Sequence, residues 1–362
     1  MTNNKSTGSH HRIAVIAGDG IGLEVTPAAI RVLDTIGARH GLSFDWEETG
    51  WGTEHYFKHG RMMPTDAIDR LRPYDAIFLG AVGHPDVPDA ETLWGLLIPI
   101  RRSFDQYINL RPVETLPGVR SFLRDDTDID LVIVRENAEG EYSSIGGRIY
   151  SGQPEESAYQ QAVFTRRGVD RVTRYAADLS MTRTRALTSA TKSNGIIHTM
   201  PFWDEVVSDV MRDYPQIALT SVLIDALAAK LVMHPERFDV IVASNLFGDI
   251  LSDLAAAAVG SIGIAPSANL NPERRHPSMF EPVHGSAPDI AGKGVANPIG
   301  QIWAGSMMLD HLGHTNAAAE LKAAFRTVLS SGISTPDLGG SATTDEVTAA
   351  IISAVSTPAN IA

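Results

Sequence analysis

Short β-branched runs alternate along this chain with longer amphipathic ones, and no other feature constrains the fold as strongly. "RIAVIAG" precedes "LEVTPAAIRVLDTIGARHG", and "YDAIFLGAVG" and "DIDLVIVREN" come after. "RALTSATKSN" then precedes "IIHTMPFWDEVVSDVMRDY", "IALTSVLID" precedes "ALAAKLVMHP", and "FDVIVASN" precedes "DILSDLAAAAVG". Strand-length apolar runs followed by helical patterns predict α/β units on a mostly parallel sheet. One stretch breaks the rhythm: residues 143–165 carry Gly-Gly and Pro turn signals and predict a projecting hairpin or arm. With 362 residues, 43% of them hydrophobic, the chain is long enough for two domains.

The strands deliver charge at their carboxyl ends, where open α/β sheets bind ligands. "DLVIV" ends at Arg135, "ALTSAT" at Lys192 and "IALTSVLI" at Asp225, while "DVIVAS" runs into Asp249 and Asp253. The last two lie four residues apart, on one face of a helix, amid apolar neighbours. Two buried carboxylates need a positive partner, either a Lys or Arg or a divalent cation. An acidic first helical turn, favoured by the helix dipole, would fit the spacing as well. Asp225, Asp249 and Asp253 together could hold one hard cation, and the absence of cysteine limits any metal to oxygen or imidazole ligands.

Arg101, Arg111 and Arg135 form a second group whose guanidinium forks match a di- or tricarboxylate. Tyr142 and Lys192 make a candidate acid–base pair. "AVIAGDGIG" follows a strand and opens a helix, but its Gly18-x-Gly20-x-Gly22 spacing is not the dinucleotide fingerprint. Residues 281–300 form a long Gly- and Pro-rich loop of the kind that often carries function. Within it, Asp289 could accept hydrogen bonds from a ribose diol and would repel a 2′-phosphate, favouring NAD over NADP.

The net charge of −13 argues against a nucleic-acid partner. No stretch reaches the roughly 20 apolar residues that span a bilayer, so no membrane role is expected. The polar start "MTNNKSTGSHH" does not read as a secretory signal, and a cytoplasmic location is the expectation.

In this order and spacing, "NLRPV", "VRENAEGEY", "TKSN", "SNLFGDILSDLAA" and "HGSAPDIAGKGVANP" resemble the β-decarboxylating dehydrogenases, the isocitrate/isopropylmalate dehydrogenase family. The likeness runs over almost the whole chain. It is strongest, through "GWGTEHYFKHGRMMPTDAIDRL" and "NPERRHPSMFEPVHGSAPDIAG", to members acting on tartrate and D-malate.

That resemblance implies a two-domain fold with a large mixed sheet and an arm. Residues 1–104 and 263–362 would form a cofactor domain, and 105–262 a substrate, metal and dimerisation domain. It implies Arg101, Arg111 and Arg135 as a carboxylate clamp, Tyr142 as acid and Lys192 as base. Asp225, Asp249 and Asp253 would bind Mn²⁺ or Mg²⁺, with K⁺ as an additional candidate. Glu281, His284, Gly285, Ser286, Ala287, Asp289 and Asn297 would contact NAD. A homodimer would share its sites, each completed by the other copy's Lys192 and Asp225. The implied reaction is NAD- and metal-dependent oxidation of tartrate or D-malate, the latter to pyruvate and CO₂. 3-Isopropylmalate is the alternative substrate, and a catalytically silent paralogue the alternative of another class.

Substrate choice is expected just before Arg101. A helix over 92–101 would place Trp94, Leu97 or Ile98, and Arg101 on one face. That face offers no further cation for an isocitrate carboxylate, and the indole fills the space an isopropyl group needs. Trp94 could instead belong to the core. Pro99 would cost about 3 kcal/mol inside a helix, so the helix could restart there and turn Trp94 away.

Overall fold

The computed structural model describes residues 9–123 and 128–356. Its strands are β1 (Ser9–Gly18), β2 (Leu42–Glu48), β3 (Ala76–Ala81), β4 (Ile108–Glu114), β5 (Asp130–Glu136) and β6 (Gly146–Ile149). They continue with β7 (Ser157–Gln160), β8 (Ala186–Thr191), β9 (Ala218–Leu223), β10 (Val240–Ala243), β11 (Pro266–Leu270) and β12 (Ser278–Pro282). The chain divides into two compact units. The first runs through Asp105, takes in Thr115–Phe122 and resumes at Val259; the second comprises Gln106–Glu114 and Leu123–Ala258. The sequence placed these crossings after residue 104 and after residue 262.

In the first unit the strand order is β2-β1-β3-β12-β11. All neighbours are parallel except β11 and β12. Every residue of β3, "AIFLGA", is buried, as expected of a parallel strand covered on both faces. The helix Gly22–His40 lays Val25, Ala29, Val32, Leu33 and Ile36 into the core. It ends at Gly41, whose φ of 68° lets its amide reach the Gly37 carbonyl.

The second unit has the order β4-β5-β10-β8-β9, with only β4 and β5 antiparallel. The core residues of β10, "VIVA", are buried on both sides. β6 and β7 form a separate antiparallel hairpin whose strand residues are all exposed. Among the described residues no helix is long and apolar enough to cross a membrane.

Candidate active site

In the second unit β4 supplies Asn109 and Arg111, β5 ends at Arg135 and Glu136, and the helix Asn245–Ala258 starts beside them. Gly248 makes this approach possible, because a Cβ there would lie 2.6 Å from the Arg135 Cβ. The Asn245 side-chain oxygen accepts from Arg135 Nε and Nη2 at 3.1 and 2.7 Å. Arg135 Nη1 donates to Asp249 Oδ1, and Tyr142 donates its hydroxyl to Asp249 Oδ2 at 2.9 Å.

Arg111 reaches both aspartates, Asp253 at 3.1 Å and Asp249 at 3.4 Å. It also donates to Ser252 Oγ at 2.6 Å and Asn109 Oδ1 at 2.7 Å. Within the chain, the positive partners of the paired carboxylates are Arg111 and Arg135. The acidic-first-turn reading fails, since neither aspartate falls in the first turn. Arg111 and Arg135 are 7% and 3% exposed, whereas the Asp253 side chain is 54% exposed. Partial burial, opposed by Arg111 and reinforced by the charge of Asp249, raises the Asp253 carboxyl above its usual value.

Lys192 and Asp225 form another pair, with Nζ donating to Oδ1 at 2.8 Å. The Lys192 ammonium holds Asp225 below the ordinary carboxylate range. Among the described residues no three His, Asp or Glu side chains converge on a metal-sized space. Asp249 and Asp253 are thus brought together within one chain, and Asp225 does not join them.

In the first unit Arg101, 8% exposed, donates to Glu281 Oε1 at 2.8 Å, an oxygen that also accepts from Asn269. The family resemblance assigns these two partners to different ligands, the substrate and NAD. The segment before Arg101 departs from the expected α geometry. Leu93–Leu97 is a π-helix, and a regular helix restarts at Ile98 with Pro99 in its first turn. A π-turn carries an extra residue, so the register slips by one. Trp94 accordingly lies against Arg102, 5.1 Å from guanidinium to ring centroid, instead of sharing a face with Arg101. Leu97 packs against a core cluster that includes Leu96, Ile100 and Phe104.

The Gly18–Gly22 loop explains its own spacing. Gly20, at φ 54°, passes so close to the Ser286 carbonyl that a Cβ would sit 2.0 Å from the oxygen, and the Ile21 amide donates to that carbonyl at 2.9 Å. Asp19 accepts from the Thr53 amide at 2.8 Å, the Thr53 hydroxyl at 2.5 Å and the Gly83 amide at 2.9 Å. Glu24 accepts from the amides of Gly292 and Gly294. Gly20 thus seats the loop at Ser286, while Gly18 and Gly22 pass close to the backbone of Ala81 and Ala17. Sequence pattern did not single out Asp19 and Glu24, although an acidic residue inside "GDG" was the available signal.

Along that loop, Ser286 is buried, Gly285 and Asp289 are exposed, and Ala287 has a φ of 41°. His284 Nδ1 meets the Gly285 carbonyl at 2.9 Å, while Nε2 has no hydrogen-bond partner. Burial lowers the His284 pKa, which favours the neutral ring. Asn297 is clamped between Asp337 Oδ2 and the Ile299 amide, both at 3.0 Å.

Comparison with known proteins adds four findings. Residues 12–351 match the family model described as isocitrate/isopropylmalate dehydrogenase. The chain is 56% identical over 350 residues to the decarboxylating D-malate dehydrogenase of Escherichia coli K12, covering 94% of this chain and 97% of that one. It is 53% identical to the tartrate dehydrogenase/decarboxylase of Pseudomonas putida, covering 94% and 96%. Among solved structures, isocitrate dehydrogenase from Methylococcus capsulatus superposes with a TM-score of 0.87 at 35% identity, covering 96% of this chain and all of that one.

Proposed function

The chain belongs to the isocitrate/isopropylmalate dehydrogenase family, and from that premise we propose that it oxidises a 2-hydroxy dicarboxylate, tartrate or D-malate, with NAD and a divalent cation. The observation that carries this reading is the cluster in the second unit. Two buried guanidinium groups, two carboxylates and a phenol sit within hydrogen-bonding reach of one another. An anionic substrate with two carboxylates needs such guanidinium groups.

The donor set suits a hard cation. Asp249 and Asp253 present oxygen ligands, the Asp253 carboxylate is accessible, and no thiol competes. A cation held by Asp249 and Asp253 would take up the counter-charges of Arg111 and Arg135, whose guanidinium groups would then serve substrate carboxylates. Asp225 supplies a third oxygen ligand from a second copy of the chain, so that the active unit is a homodimer. Mn²⁺ and Mg²⁺ both match this chemistry, and K⁺ is an additional candidate.

When bound, the cation acts as a Lewis acid on the 2-hydroxyl, and NAD on the 281–300 loop is the hydride acceptor. Lys192, from the second copy, takes the hydroxyl proton as hydride leaves C2. For D-malate the bond from C3 to its carboxylate then breaks, CO₂ leaves, and the electron pair remains as an enolate. Tyr142 delivers a proton to C3, giving pyruvate, and its contact with Asp249 Oδ2 fixes where that hydroxyl stands. His284, with a free Nε2, and Asn297, held by Asp337, supply polar groups to NAD.

The test is NADH formation with Mn²⁺ across D-malate, L- and meso-tartrate, 3-isopropylmalate and isocitrate, repeated with EDTA. Turnover of D-malate or a tartrate, abolished by EDTA, is expected. Preference for isopropylmalate would overturn the substrate assignment, and turnover of none would overturn the enzyme.

A further inference from the structure

We propose that the first unit carries a phosphate-type oxyanion site at the amino ends of its parallel strands β3 and β12. A cavity of about 380 Å³ is lined by Arg72 and Asp75 before β3, Arg274 and His276 in the β11–β12 turn, and His311 at the end of the helix Ile299–His311. Arg275 and His11 complete its polar wall. Four separate segments therefore converge at the amino ends of β3 and β12, whereas Glu281 and the 281–300 loop lie at the carboxyl end of β12.

The charges facing this cavity are poorly neutralised. No carboxylate lies within ion-pair distance of Arg274 or Arg275 among the described residues, and Arg72 has only an exposed partner, Asp69, at 3.4 Å. Asp75 also lines the cavity, but its Oδ2 accepts from the Arg12 amide at 2.8 Å and lies 3.7 Å from His11. Three arginines gathered with so few counter-charges stand out on a chain with a net charge of −13.

The turn that presents the arginines is built for the purpose. Asn271, 1% exposed, accepts the amides of Arg275 and His276 on its side-chain oxygen and donates to the Asp105 carbonyl. Arg274 is held at a φ of 54°, a left-handed conformation that costs a non-glycine residue on the order of 1 kcal/mol. Burial first, and then the charge of Arg274, push the His311 pKa down to about 4, against the opposing charge of Asp310. An anion of at least two charges, with oxygens for two guanidinium forks, is the complement of these groups.

Calorimetric titration of the full-length, metal-free protein with pyrophosphate, at saturating NAD, tests the site. One binding event is expected in the wild type, weakened about ten-fold or more in Arg274→Ser/Arg275→Ser. The control Arg212→Ser, in the other unit, should bind as the wild type does. Parallel titrations with AMP and inorganic phosphate separate the sources: tighter binding of AMP identifies a nucleotide phosphate, and equal or weaker binding identifies the free anion. If wild type binds no pyrophosphate, or the double variant titrates like wild type, or Arg212→Ser loses as much affinity, the proposal fails.

Discussion

Two carboxylates at the start of the first unit, Asp19 and Glu24, hold main-chain amides, whereas two on one helix of the second, Asp249 and Asp253, hold guanidinium groups. Asp19 and Glu24 gather the amides of Thr53, Gly83, Gly292 and Gly294, so that unit positions a loop. Asp249 and Asp253 engage Arg111, Arg135 and Tyr142, so the second unit positions removable charges. An amide bound to a carboxylate is part of the framework. A guanidinium bound to a carboxylate can exchange partners when a cation and a substrate arrive. Substitutions in the first unit should therefore register as stability, and those in the second as chemistry or as a dependence on pH.

The largest expected effect is chemical. Lys192→Ala should lower kcat by roughly 10²- to 10⁴-fold, the usual worth of a positioned base, with unfolding by denaturant unchanged. An equal loss of stability would erase the contrast between the units. Gly20→Ala should act the other way. It forces a left-handed alanine against the Ser286 carbonyl and should cost at least ~2 kcal/mol in denaturant unfolding, together with weaker NAD binding. A stable Gly20→Ala protein that binds NAD normally would show that the close approach is dispensable.

A smaller effect sharpens the description of the second unit. Glu136, buried next to Arg135, has its carboxyl pushed up to about 7, chiefly by burial and against the amides of Glu139 and Ala138. Because the folded value lies above the ordinary one, the folded protein holds the extra proton. This contribution is fully present below about pH 4.5 and is lost as pH rises through about 7. Glu136→Gln should flatten that decline, by on the order of 2 kcal/mol between pH 5 and 8 in denaturant melts. An identical pH profile in wild type and variant would remove Glu136 from the account.

The charged ends of the strands were legible because β-branched runs announce strands, and the residues just past a parallel strand face the ligand side. Asp249 and Asp253 were legible as a pair because helical spacing is fixed. Arg111 as the bridge between them was not, since it comes from a strand over 130 residues earlier. The Arg101–Glu281 pairing was hidden for the same reason. The π-turn at Leu93–Leu97 defeated the expected Trp94–Arg101 face, because residue spacing assumes one helical period. Pro99 was the sign that the period would change. The glycines at 18, 20 and 22 marked tight approaches, but only the fold reveals that the approaching groups are the Ala81 carbonyl at Gly18, the Ser286 carbonyl at Gly20 and the Ala17 carbonyl at Gly22.

The central claim is that Asp249 and Asp253 complete a cation site with an Asp225 from another copy. Mn²⁺ titration of metal-free wild type, Asp249→Asn and Asp225→Asn by calorimetry tests it most directly. The account predicts that both substitutions weaken Mn²⁺ by about ten-fold or more, although Asp225 pairs with Lys192 and not with Asp249 in the single chain. Wild-type affinity in Asp225→Asn would contradict it.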